Sequence, residues 1–397
     1  MLKIVVAGAG MVGQRHIALI QQNPRVRLCA VVDPSPAAGA VASANGVPLF
    51  DSLSDFFALS DIKPHGVILA TPIDQHVRGA FECLQHFTPA LIEQPLADRF
   101  DDVVALRAAL QFRAVPVLVG CHRRHSAALI EAQRVIASGE LGRIVSVNSS
   151  ALFCKPDSYF SEGLWRKQAG GGPLLINLIH EIDNIRFLCG SSCGEIVAVQ
   201  AMASNSVRGF EVEDSAAITL RFENGSLGSL ILSDAAAAPR SWEQTSGEDP
   251  AFARYPDQDS CFVAGTLGSI AIPTLQRWQV QGERSWTQAM RTNKPTAVTA
   301  SASLDPVARQ LDHFCDVVEG RAPPKVTVDD AARSLSVTLA IIKAVQTGST
   351  VKPLDVRHNK VEAKTQTRLG ATKRTLEQIQ VDASDLAELE APAQPSR

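Results

Sequence analysis

Two features near the amino end have the residue types and spacing to do chemistry. Gly8-Ala9-Gly10-Met11-Val12-Gly13 closes the β-branched run 2–7 and precedes 14–20, a stretch with helical periodicity. Strand, glycine turn and helix is the context in which GxGxxG signals a dinucleotide site. Gly8 permits the tight turn, Gly10 lets the backbone approach a pyrophosphate, and Gly13 lets helix and strand pack closely. Met11 and Val12 open the helix whose unpaired N–H groups receive the diphosphate. Asp33 ends a second apolar run, 26–32, and lies 20 residues beyond Gly13. A carboxylate there accepts both hydroxyls of an adenine ribose and repels the 2′-phosphate of NADP, so the sequence predicts NAD, with NADP as the second choice. Without that context Asp33 reads as a helix cap before Pro34-Ser35-Pro36.

These residues need strands to hold them, and the first third of the chain supplies them. Apolar runs 65–70, 90–92 and 115–119 end at Thr71-Pro72, at Glu93-Gln94-Pro95 and at Gly120-Cys121-His122-Arg123-Arg124-His125. Ligands of open α/β sheets gather at the carboxyl ends of strands, so Thr71, Pro72, Glu93 and the His/Arg cluster point toward one cleft. The whole chain has 397 residues, 45% hydrophobic and 20% charged, with 38 Lys+Arg against 41 Asp+Glu, which suits about two globular domains and excludes a disordered or collagen-like polymer. A balance this close to neutral gives no footprint for nucleic acid. The eight cysteines form no CxxC and read as buried thiols, and no stretch resembles a signal peptide or a membrane span. A cytoplasmic protein acting on a small molecule, without nucleic acid, membrane or metal, is the expectation.

Taken together, the motifs resemble the glucose-fructose oxidoreductase and inositol dehydrogenase (Gfo/Idh/MocA) family of NAD(P)-dependent dehydrogenases. The resemblance is carried by the GxGxxG, ATPIDQHV at 70–77, EQP at 93–95, VGCHRRHS at 119–126, GGGPLLINLIHEID at 170–183, VAGTLGSIAIP at 263–273 and LDHFCDVVEG at 311–320. It covers about residues 1–353. It implies an α/β chain: a Rossmann domain with a doubly wound parallel sheet over 1–122, then an α+β domain over 123–354 with a large, open, mostly antiparallel sheet. The last helices of that second domain are allowed to return to the first. The sheet commonly forms the oligomer interface in this family, so a homodimer or homotetramer is expected.

The resemblance also implies chemistry. Members typically carry a lysine inside EKP, and an aspartate four residues before a histidine. The histidine takes a hydroxyl proton as hydride leaves for the nicotinamide, and the lysine polarises the reacting oxygen. Here the matching positions are Gln94, Ile176 and His180. An amide such as Gln94 can hydrogen-bond but transfers no proton. Asn177, His180 and Asp183 fall at i, i+3 and i+6 of an expected helix, roughly on one face, so Asn177 can stand in for the aspartate and Asp183 or Glu181 can hold the His180 tautomer. Alone, His180 reads as a satisfied helix histidine. Arg124 matches a pocket-lining arginine, Trp165 and Arg166 precede the glycines as candidate substrate contacts, and His76 is expected near the cofactor. Lys155 is a candidate replacement acid or base whose place the sequence leaves open.

The resulting expectation is an NAD-dependent oxidoreductase acting on the CH–OH carbon of a sugar, sugar acid or cyclitol. The alternatives are an imine- or amine-directed reductase of the same family, and a non-redox nucleotide-binding regulator or lyase. In the second half, 144–148, 216–222 and 225–232 have strand periodicity, and Asn224-Gly225 signals a hairpin. The polar, aromatic-bearing stretch 239–256 is expected to be a substrate lid or an oligomer contact. Residues 355–397 read as a solvated extension, with one amphipathic helix around 375–389.

Overall fold

The computed structural model describes residues 1–293 and 305–356; the helix expected around 375–389 lies outside them. Contacts divide the chain into two units, Met1–Val119 with Phe314–Ala332, and Gly120–His313 with Arg333–Leu354.

The first unit alternates strand and helix: β1 (Leu2–Ala7), α1 (Met11–Gln22), β2 (Val26–Val32), α2 (Ala38–Ala44), β3 (Leu49–Phe50), α3 (Leu53–Leu59), β4 (Gly66–Leu69), α4 (Ile73–Gln85), β5 (Ala90–Glu93), α5 (Phe100–Leu110) and β6 (Val117–Gly120). The sheet order is β3-β2-β1-β4-β5-β6, with β1 parallel to both β2 and β4. That order reverses direction beside β1, which makes the β1/β4 crevice the switch point where such sheets take ligands. β1 and β4 carry near-continuous apolar runs because helices cover both faces of a parallel sheet, and Ile4, Val5, Val6, Val67, Ile68 and Leu69 have no exposed surface.

The second unit begins with a short 3₁₀ turn at His122–His125 and continues through α6 (Ala127–Ala137), β7 (Ile144–Cys154), α7 (Asp157–Ser161), a 3₁₀ turn at Leu164–Lys167, α8 (Pro173–Ile176), α9 (Leu178–Cys193), β8 (Ile196–Ser204), β9 (Ser215–Phe222), β10 (Leu227–Ser233), β11 (Ala235–Arg240), α10 (Trp242–Ser246), β12 (Cys261–Gly265), β13 (Gly268–Ile272), β14 (Arg277–Gln279) and β15 (Arg291–Asn293). The chain then continues through helices α11 (Pro306–Val318) and α12 (Val328–Thr347), of which Phe314–Val318 and Val328–Ala332 belong to the first unit. The sheet runs β15-β14-β13-β12-β7-β10-β9-β8, with β11 also on β7. All its pairings are antiparallel except β7 with β10. Along β9 the pattern alternates strictly, and Ala216, Ile218, Leu220 and Phe222 point inward to join Leu129, Ile182, Ile185 and Ile341 in one core.

The hairpin expected at Asn224-Gly225 is present, and two local details are added. The hairpin between β9 and β10 is a three-residue loop: only Gly225 has positive φ (89°), Phe222 N–H donates to Ser226 O, and Gly225 N–H to Phe222 O. That is a type I turn followed by a left-handed glycine, and Asn224 instead accepts from Ser226 N–H through its side chain at 2.9 Å. The stretch 239–256 is not a free lid at its start, because Ser241 caps α10 and Trp242 and Thr245 are buried. Among the described residues no helix is long and apolar enough to cross a membrane. All eight cysteines are free thiols, and only Cys154 is exposed.

Candidate active site

In the first unit the glycine turn is built around two close approaches. Gly8 has φ of 94°, and a Cβ there would lie 2.2 Å from Ala70 O; a Cβ on Gly13 would lie 1.8 Å from Gly8 O. Neither position accepts a side chain, since backbone atoms would have to move. Gly10 differs, because a Cβ there meets nothing within 4 Å. It therefore faces open space at the start of α1, a helix with no side-chain cap and no acidic residue in its first turn. Exposed Met11 and Val12 follow, so the first amides of α1 are left for an anion.

Asp33 closes this turn from β2. Its Oδ2 accepts the Ala9 N–H at 2.7 Å and its Oδ1 the Ser35 N–H at 2.8 Å. Partial burial works against its charge, but these hydrogen bonds outweigh burial and hold the carboxyl below the usual range. An ionised carboxylate has about four acceptor positions; the Ala9 and Ser35 backbone and the Ser35 side chain use three, which leaves one for a ribose hydroxyl. The open cradle at Gly10, the uncapped helix and ionised Asp33 fit the diphosphate and adenine ribose of NAD.

Other residues expected at the cofactor have different tasks. His76 is buried, with Nδ1 2.8 Å from Pro95 O and Nε2 2.8 Å from Thr71 O. Its ring nitrogens are taken up by the backbone beyond β4 and β5. Glu93 Oε1 lies 2.6 Å from Nε2 of buried His16 on α1. The Thr71 hydroxyl is buried without a hydrogen-bond partner among the described residues, and Pro72 stands at the N-cap of α4. The Gln94 N–H reaches Glu93 Oε2 at 3.4 Å.

In the second unit the predicted helix is two: α8 stops at Ile176, and Asn177 is both its C-cap and the N-cap of α9. His180 lies in the first turn of α9, its N–H donating to Asn177 O at 3.2 Å. Its ring, part-buried, stands 5.6 Å from that of His122. Lys155, just past β7, donates to Asn177 Oδ1 at 2.7 Å and lies 3.6 Å from Asp234 Oδ2. Burial lowers its pKa from the ordinary lysine value; Asp234 opposes the shift, and Arg208 and Arg166 add to it. Lys155, Asn177 and the His180 turn thus form one polar cluster.

Arg124 and Asp183, expected to face substrate, are both buried and bonded to each other: Nε to Oδ2 at 2.7 Å and Nη2 to Oδ1 at 2.8 Å. One guanidinium edge and both carboxylate oxygens are thus engaged within the fold. Asp183 also turns away from the tautomer role, taking Ser334 Oγ at 2.9 Å. Arg123 bridges Glu181 and Glu243, and Ser149 Oγ donates to Glu181. Burial pushes Glu181 up; it also opposes the Glu243 charge, but Arg123, helped by His180, outweighs it and holds Glu243 well below the usual carboxylate range. Glu243 is the functional candidate that the sequence did not suggest. Trp165 is exposed, and the Arg166 guanidinium stacks 3.9 Å from the centre of the Tyr159 ring while donating to Tyr159 O.

Comparison with known proteins identifies the family and the fold. Residues 2–121 match the oxidoreductase family with an NAD-binding Rossmann fold, and residues 129–271 match the GFO/IDH/MocA C-terminal domain. The rhizopine catabolism protein MocA of Rhizobium meliloti is 22% identical over 342 residues, 85% of this chain and 93% of that protein. The solved WlbA dehydrogenase of Bordetella pertussis, in complex with NADH and UDP-GlcNAcA, is 23% identical with a TM-score of 0.70, covering 89% of this chain and 99% of that one. The scyllo-inositol dehydrogenase of Lactobacillus casei, with bound NAD(H) and scyllo-inositol, is 18% identical with a TM-score of 0.69, covering 89% and 99%. The chain belongs to the Gfo/Idh/MocA oxidoreductase family, and its amino-terminal unit is an NAD-binding Rossmann domain.

Proposed function

We propose that the protein is an NAD-dependent dehydrogenase acting on the CH–OH carbon of a small polyhydroxylated substrate: a sugar, a sugar acid or a cyclitol. One observation carries the reading. His180, the only imidazole on α9, stands at a helix start beside Asn177 rather than in the core, within reach of the charge of Glu243. Bound NAD supplies the hydride acceptor. Asp33 holds the adenine ribose and the first amides of α1 hold the diphosphate. His180 accepts the substrate's hydroxyl proton as the O–H bond breaks, the carbinol hydrogen departs as hydride, and a carbonyl forms. Asn177 orients the reacting oxygen, while Gln94 can hydrogen-bond but moves no proton.

The relatives support the substrate class, because a cyclitol and a sugar acid nucleotide are named in their complexes. The test is a panel of sugars, sugar acids, inositols and amino-acid-derived imines with NAD or NADH, followed by NADH absorbance. Turnover of a polyol that is lost in His180→Ala is expected. Tight NAD binding with no turnover of any member overturns the reading in favour of a nucleotide-binding regulator, and turnover of imines alone moves the chemistry to C–N bonds.

A further inference from the structure

We propose that Lys155 is a catalytic residue of this reaction: its ammonium, steered by Asn177, hydrogen-bonds the reacting oxygen of the substrate and supplies the positive charge that Gln94 lacks. The inference rests on the dehydrogenase reading above. The position is fixed from three sides. The Lys155 N–H donates to Asp234 O at 2.8 Å, the Lys155 carbonyl accepts from Arg208 at 2.9 Å, and the side chain runs beside the Tyr159 ring, 4.7 Å from Nζ. Its Nζ then meets Asn177 Oδ1, the side chain of the residue whose carbonyl starts the His180 turn.

The ion pair with Asp234 is long and accounts for only part of this lysine's setting. Asp234 Oδ1 is already held by Arg208 Nε at 2.8 Å, and Lys155 Nζ stays 3.6 Å from Oδ2, beyond hydrogen-bond reach. An ammonium has three N–H donors. Among the described residues Asn177 takes one of them, and the side chain keeps 10% of its surface exposed. Donors therefore remain for an oxygen arriving beside His180. During oxidation His180 receives the hydroxyl proton, and Lys155 keeps its own while stabilising the negative charge that builds on oxygen. In the reverse direction the same hydrogen bond polarises the carbonyl.

The charge is also placed to be useful and to titrate. Burial lowers the Lys155 pKa, so the ammonium is lost as pH rises through a range below that of an ordinary lysine. Turnover should therefore fall on the alkaline side earlier than for an exposed lysine.

The experiment uses the full chain with saturating NAD and the polyol that turns over in the panel. Lys155→Met is expected to lower kcat about 10²-fold with KM little changed, the scale seen when one transition-state donor is removed. Lys155→Arg keeps a permanent charge, so it should retain more activity and lose the alkaline limb. Unchanged kcat in Lys155→Met overturns the assignment. So does an equal loss in both variants with the wild-type pH profile, which marks a structural role. Should Lys155→Met fail to fold, trace acetylation of the wild-type chain decides: the polyol should protect Lys155, and unprotected labelling overturns the proposal. A wild-type chain that turns over no polyol overturns the dehydrogenase reading, and this inference with it; normal wild-type turnover beside an unaffected Lys155→Met removes only the role of Lys155.

Discussion

Asp33 illustrates what one side chain decides. It ties Ala9 into the glycine turn and leaves an acceptor position for a ribose hydroxyl, so Asp33→Ala removes both the brace and the acceptor. Charged hydrogen bonds of this kind contribute about 1.5–3 kcal/mol each, so NAD affinity should fall at least about tenfold in calorimetric titration, and discrimination against NADP should shrink. Unchanged affinities for both would refute the assignment. His180→Ala should instead leave NAD affinity intact and lower kcat by about 10²–10⁴-fold, the usual contribution of a positioned acid or base. Asp33 was legible because its partners lie in one strand–turn–helix, within a few dozen residues. Lys155 was legible as a candidate but not in its place, and Glu243 was not legible as a candidate. Asn177 is 22 residues from Lys155, and Glu243 is 120 residues from Arg123, so their roles depend on how β7, α9 and α10 pack.

At the scale of elements, the 3₁₀ turn His122–His125 is clamped to α9 by two buried ion pairs, Arg123 with Glu181 and Arg124 with Asp183. The motif reading assigned Arg124 and Asp183 to substrate, and in the structure they pair with each other. Residue type alone does not say whether an arginine's fork is already filled. Asp183 also neighbours Arg186, which donates to Ser334 at 2.7 Å, so three charges share one interior. Asp183→Asn should destabilise the second unit by about 3–5 kcal/mol in urea melts, because removing one partner leaves a buried cation uncompensated. The pH dependence has a definite sign. Burial opposes ionisation of Asp183, but Arg124, Ser334 and Arg186 outweigh it and hold the pKa below the ordinary aspartate value. Its stabilisation is complete above that ordinary value and fades as pH falls through the depressed one, so wild type and Asp183→Asn should converge in acid. A gap that persists below the depressed pKa would mean that the pair does not set it.

At the scale of the whole molecule, the large sheet presents one face to a core and the other outward. The inner side chains of β8, β9 and β10 pack against α9 and α12 in one apolar cluster. The outer side chains line up across strands through the register: Met202 with Ala217 with Ile231 in one row, and Gln200, Thr219, Ser229, Asn148 and Phe262 in the next. Met202 is 79% exposed and Ile231 43%. An antiparallel sheet tolerates one wet face, but such a face is normally polar, and apolar residues in a contiguous row mark a surface that associates. A second copy of the chain is the expected partner, since a two-fold axis lets the same rows meet each other. Sedimentation of the full chain should show a dimer or tetramer, and Met202→Asp with Ile231→Lys should yield a monomer whose NAD affinity is unchanged. That combination separates association from folding of the Rossmann unit; a wild-type monomer at micromolar concentration, or a double variant that still associates, would rule out this face.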